Sequence, residues 1–160
     1  METILQYITE QYESVRGSRQ VLLEYCKTIS QPNLVNENSS FGRGGSIRNL
    51  LVHIANVYEL WIAKRALNRN ILFTEYHSKQ NINDIVALFE QVDIFMYEFI
   101  ASFQSSQTKD INFEINGKQS SVSRLKLFTH VITHEFHHKG QILSLSRHLG
   151  YRPIDTDIIR

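Results

Sequence analysis

The sequence predicts an all-α protein: a four-helix bundle with long crossover connections and a small β-hairpin before the last helix. Three observations predict it. Four stretches of the 160-residue chain repeat apolar residues at helical spacing, long polar links separate the first three of them, and one short stretch alternates with period two instead. The length suits a single domain over residues 1–160, with enough chain to enclose a core.

The first helix is expected from about Thr3 to Ile29, with Ile4, Ile8, Tyr12, Val15, Arg19, Leu22, Leu23 and Cys26 marking one stripe. Ser30-Gln31-Pro32-Asn33 stops it, because proline cannot continue a helix and disfavours helix in the residue before it. A polar link ends in Phe41-Gly42-Arg43-Gly44-Gly45-Ser46, and Ser46 is an N-cap for a second helix over about Ile47 to Leu67. The Gly-rich run lacks the Lys-Ser/Thr of a phosphate-binding loop and has no strand before it, so it reads as an entry into a capped helix. After a link from Asn68 to Asn81, the third helix covers about Asn83 to Gln104, with Ile85, Leu88, Phe89, Val92, Phe95, Met96, Phe99 and Ile100 as its stripe. Its aromatics and Trp61 read as core, and some could wall a pocket.

Ile111-Asn112-Phe113-Glu114-Ile115 then alternates, and Asn116-Gly117 is the dipeptide favoured in tight hairpins, so the chain should return through Lys118 to Val122. Ser123 caps the fourth helix, about Arg124 to Leu149, which ends at Gly150 with Pro153 just beyond. Antiparallel neighbours need only short loops, so the long links are consistent with crossovers that leave some consecutive helices parallel.

Composition excludes several function classes. Seventeen basic residues balance sixteen acidic ones and no basic tract stands out, so neither nucleic acid nor an anionic membrane is an expected partner. The start, Met1-Glu2-Thr3-Ile4-Leu5-Gln6, lacks the charge and apolar run of a secretory leader, no stretch is long enough to span a bilayer, and the single cysteine, Cys26, suits a reducing cytoplasm.

The informative residues are the histidines. There are seven, and four fall between positions 130 and 138. His134 and His138 are four apart, so on a helix their rings share a face with Cβ atoms about 6 Å apart, close enough to hold one metal ion. His130 lies a turn back on that face and Gln141 a turn ahead, while His137 points elsewhere. A metal site in a bundle draws further ligands from a facing helix, and His53, inside the apolar run Leu50-Leu51-Val52-His53-Ile54-Ala55, is the candidate. Taken singly, each histidine has a plainer explanation as hydrogen-bonded structure. The combination points to one divalent transition metal held by His53, His134 and His138, with His130, Gln141 and Glu135 as candidate supporting residues. His77 and His137 read as surface, and His148 as a helix C-terminal charge.

The string His134-x-x-x-His138-Lys139-Gly140-Gln141-Ile142 resembles the signature of the DinB (damage-inducible) family, whose usual form is His-x-x-x-His-Arg-Gly-Gln. Ser46-Ile47-Arg48-Asn49-Leu50-Leu51-Val52-His53-Ile54 is similar to the family's second-helix ligand region, and the hairpin and the Gly150-Tyr151-Arg152-Pro153 tail also fall where the family has like features. Lys139 stands where arginine is common. The resemblance implies a four-helix bundle, a metal held by one histidine of helix two and two of helix four, and frequently a homodimer.

Three neutral imidazoles leave an ion with open positions, where a bound water or thiol loses its proton more readily. Imidazole suits zinc, nickel, copper and iron alike, so the ligands do not choose the ion; zinc or nickel is the expected metal, with manganese, iron and cobalt also compatible. The resemblance implies thiol chemistry, because relatives include bacillithiol S-transferases and a mycothiol-dependent isomerase. The expected partners are therefore a small thiol and an electrophile, with a related hydrolase-like activity also in view. A non-catalytic, metal-stabilised stress or binding protein is a second reading. A third comes from His134-Glu135-Phe136-His137-His138, which spells the metalloprotease string His-Glu-x-x-His with Glu135 as general base. Such enzymes take a third ligand downstream, however, and only 22 residues follow His138.

Overall fold

The computed structural model describes residues 3–41, 45–104 and 110–160. The fold is mostly helical, with a small antiparallel hairpin ahead of the last helix. Helix α1 spans Ile4–Cys26, and the Thr3 side chain caps it by accepting from Gln6 N. It stops one turn short of the expected Ile29. Pro32 does not merely end it, because it lies in the first turn of a one-turn helix α2, Gln31–Leu34, where a missing N–H leaves no bond unmade.

Helix α3 spans Ile47–Tyr58 and starts at Ser46, which accepts from Asn49 N at 3.0 Å. Gly45 precedes it at φ +69°, and a Cβ there would lie 2.6 Å from the Ser39 carbonyl oxygen and 2.8 Å from that of Glu37. Only glycine fits so close an approach in the left-handed region. Residues 42–44, the rest of the Gly-rich run, lie outside the described residues. Past Tyr58, α3 continues without a break into a π-helical stretch, Glu59–Ala66, which ends as Leu67 N bonds Ile62 O five residues back. Periodicity cannot reveal such a widening, since it moves each apolar residue only slightly around the axis. The following link is tied down by Glu59, which accepts from both the backbone N–H and the hydroxyl of Thr74.

Helix α4 spans Ile82–Ala101, opened by a reciprocal cap between Asn81 and Asp84 and closed by a tighter turn, Ser102–Gln104. Strands β1, Ile111–Ile115, and β2, Lys118–Val122, pair with Ile111 opposite Val122 and Ile115 opposite Lys118. Asn116 and Gly117 take φ values of 51° and 73°, the two left-handed positions of a type I′ turn. Helix α5, Arg124–His148, starts at the Ser123 cap and ends before Gly150 at φ +90°.

The four long helices form a ring of contacts: α1 with α4, α4 with α3, α3 with α5, and α5 with α1. Side-chain partners give their directions. Arg19 meets Phe89 and Arg16 meets Tyr97, so α1 and α4 are antiparallel. Arg19 meets Glu135 and Tyr25 meets Ser146, so α1 and α5 are parallel. His53 faces His138 and Trp61 faces His130, so α3 and α5 are antiparallel. It follows that α3 and α4, consecutive in the chain, run parallel, and the link between them is a crossover. The longer link from α1 to α3 joins antiparallel helices, so its length is not dictated by direction.

Inside the ring lies one apolar core, with Tyr12, Leu22, Leu50, Ile54, Ile62, Ile85, Met96, Phe99, Val131 and Ile142 buried. The core also holds charge. Arg19, in the middle of the α1 stripe, donates from Nε and Nη2 to the two Glu135 oxygens at 2.8 and 2.9 Å and from Nη1 to Asp93 at 2.7 Å. Tyr58 donates to Glu135 and Tyr12 to Asp93, so one network ties all four helices together. Burial opposes the guanidinium's charge, but the facing Glu135 carboxylate, through its charge and its hydrogen bonds, acts with the Tyr12 and Tyr58 hydroxyls to raise the Arg19 pKa overall. Among the described residues, no helix is long and apolar enough to cross a membrane.

Candidate metal centre

Because α3 and α5 are antiparallel, His53 lands opposite the pair presented by α5. His53, His134 and His138 converge so that one ligand nitrogen from each lies within 4.8 Å of the other two. Ring centroids are 5.0 Å apart for His53 and His134, 4.7 Å for His53 and His138, and 4.4 Å for His134 and His138. His53 and His134 are half-buried and His138 is buried, so the cluster sits at the core's edge with one side towards solvent.

Hydrogen bonding decides which nitrogens face inward. The Gln141 side-chain oxygen lies 2.7 Å from His138 Nδ1, so that nitrogen carries the proton and donates, which makes Nε2 the nitrogen with the lone pair. His138 Nε2 points at His134 Nε2 across 3.1 Å. Two imidazole nitrogens bound at about 2.0–2.1 Å to one ion lie about 2.9–3.4 Å apart for bond angles between right and tetrahedral. The observed spacing falls inside that range, so His134 and His138 fit one ion, and the His53 nitrogen, within 4.8 Å of both, makes a cluster that could hold it. His134 Nδ1 is buried with no hydrogen-bond partner among the described residues. The His134 pKa is pushed down to about 3, first by burial and then by the charges its neighbours His138, His53, His130 and His137 would carry. A neutral imidazole is the form that ligates.

The supporting candidates divide. Gln141 is in place on His138. His130 is exposed, its ring 6.1 Å from that of His134 and 5.4 Å from that of Trp61. Glu135 turns into the core, both oxygens taken by Arg19 and Tyr58. His137 is exposed beside His138, and Gln141 Nε2 lies 3.5 Å from its Nε2. His77 sits on Glu37 at the surface. His148 Nδ1 donates to the Ser144 carbonyl and its ring packs on Phe41. Sequence reasoning missed Arg19 and Tyr58 as partners of Glu135, although an arginine inside an apolar stripe was a signal that a buried acid must face it.

The arrangement is that of a mostly helical protein with a three-histidine cluster shared by two antiparallel helices. The chain belongs to the DinB family, whose model it matches over residues 1–160. No match was found among curated proteins.

Proposed function

We propose that the chain is a metal-dependent enzyme that transfers a small thiol to an electrophile, built on a four-helix crossover bundle. The observation that carries this reading is the convergence of His53, His134 and His138, with His138 oriented by Gln141. These three histidines would hold one divalent metal, and zinc and nickel are both among those that imidazole suits. Bound there, such an ion lowers the pKa of a thiol it contacts, so that a nucleophile exists near neutral pH. Kinship with the thiol transferases of the DinB family points to sulfur chemistry rather than hydrolysis.

The chain's own residues have distinct parts. Gln141 fixes the His138 tautomer, so that Nε2 would be the nitrogen to hold a bound ion. His130, exposed beside His134, receives the thiol's proton and passes it to water. Cys26 takes no part, because it is buried in the core and its thiol is pushed up to about 12 by that burial. Glu135 holds α5 in register rather than acting as a base, which speaks against the protease reading. In the test, metal-loaded protein should accelerate conjugation of a small thiol with chlorodinitrobenzene, and His138→Ala should not. Retained metal without turnover on a broad electrophile panel would favour the non-catalytic reading.

A further inference from the structure

Arg65 makes no ion pair among the described residues. Its guanidinium carbon lies 4.3 Å from the Trp61 ring centroid and 4.8 Å from that of Phe113. Nη2 donates to the Glu114 carbonyl at 3.3 Å, and Nη1 is shut away from water with no acceptor among the described residues. A buried donor left unmade is costly and rare, and calls for a physical reason. Position suggests one. From the metal cluster outward the side chains run His134, His130, Trp61 and Arg65, each packed on the one before. Trp61 and Arg65 both lie in the π-helical stretch, a backbone form that concentrates at functional sites.

We infer that Trp61, Phe113 and Arg65 form a substrate subsite beside the three-histidine cluster, where Arg65 receives a carboxylate and Trp61 packs the chain linking it to the reacting group. This rests on the reading of the cluster as a thiol-activating metal centre. The hairpin forms the subsite's outer wall. Phe113 of β1 packs on Trp61 and Arg65, whereas β2 is exposed except at Val122. Binding a carboxylate there requires β1 to move outward, which would free Nη1 and replace the weak bond to the Glu114 carbonyl with a charge-assisted one, in the forked geometry a guanidinium offers a carboxylate. The specificity this gives is for thiols or electrophiles that carry an acid group at a distance from the reacting atom.

The test uses cobalt-loaded full-length protein and reads the sulfur-to-cobalt charge-transfer absorption as mercapto acids of graded length are titrated against the matching mercapto alcohols. Wild type should bind at least one acid about tenfold tighter than its alcohol, the worth of one charge-assisted bond. That preference should vanish in Arg65→Met and survive in Arg65→Lys, with cobalt content unchanged in both. No preference in wild type, or an equal preference in Arg65→Met, overturns the subsite. If no thiol gives the absorption, the thiol reading fails, and the subsite is decided separately. Titration of metal-loaded protein with hexanoate and hexanol, followed by fluorescence of Trp61, the chain's single tryptophan, must then show an Arg65-dependent response to the acid alone. No such response overturns it.

Discussion

Replacing Glu135 by glutamine separates two roles that the sequence leaves open for this residue. Its side chain is 3% exposed and that of Arg19 is 4% exposed, so the pair is nearly dry. Glutamine keeps the shape but removes the charge, and it places an amide N–H₂ against a guanidinium that needs an acceptor. Breaking a buried pair by neutralising one partner typically costs about 3–5 kcal/mol. Asp93 remains on Arg19 Nη1 at 2.7 Å and retains part of the compensation, which argues for the lower end, about 3 kcal/mol. For a chain of this size that corresponds to a fall in Tm of about 6–12 °C. Thermal melts and urea titrations of wild type, Glu135→Gln and Arg19→Met/Glu135→Leu measure it. The double variant removes both charges and should recover much of the loss, while folded Glu135→Gln should hold metal as wild type does. A Glu135→Gln protein as stable as wild type would refute the structural role, and intact stability with abolished hydrolysis would revive Glu135 as a general base.

Three further outcomes follow from particular contacts. Gln141→Leu should weaken metal binding about 10- to 100-fold, measured by chelator competition, with helicity unchanged, because His138 loses the acceptor that fixes its tautomer. The metal-free protein should lose stability on acidification. His134 is held at about 3 in the fold against an unperturbed 6.5, so below pH 6.5 the unfolded chain takes up a proton that the fold refuses. The contribution is fully present above 6.5 and lost progressively as pH falls towards 3, and urea midpoints across that window should be flatter in His134→Leu. Gly45→Ala should cost at least about 2 kcal/mol, since the residue would be held in the left-handed region with its Cβ against two backbone oxygens that cannot turn aside. Equal urea midpoints for Gly45→Ala and wild type would contradict that geometry.

Local chemistry was the legible part of this sequence. Ser46 and Ser123 cap the helices they precede, and Asn116-Gly117 turns the hairpin, because each needs only its immediate neighbours to act. The three histidines were legible for a related reason: a four-residue spacing sets two rings on one ridge, and an imidazole in an apolar run such as that around His53 demands a partner. What depends on distant contacts was not legible. The π-helical stretch disturbs periodicity too little to be read, yet it carries Trp61 and Arg65. Glu135 fits a protease string by spacing, and only the packing of α1 against α5 reveals that Arg19 and Tyr58 take its oxygens. The length of the α1–α3 link suggested a crossover that the directions of those helices do not require.

The central claim is that His53, His134 and His138 hold one transition metal. Elemental analysis of purified, untagged protein beside His53→Ala and His138→Ala tests it most directly. The account predicts close to one metal ion per chain in wild type and its loss in both variants, with helicity retained. Wild-type protein that is metal-free and takes up neither zinc nor nickel would contradict it, leaving the three histidines as packing at the edge of the core.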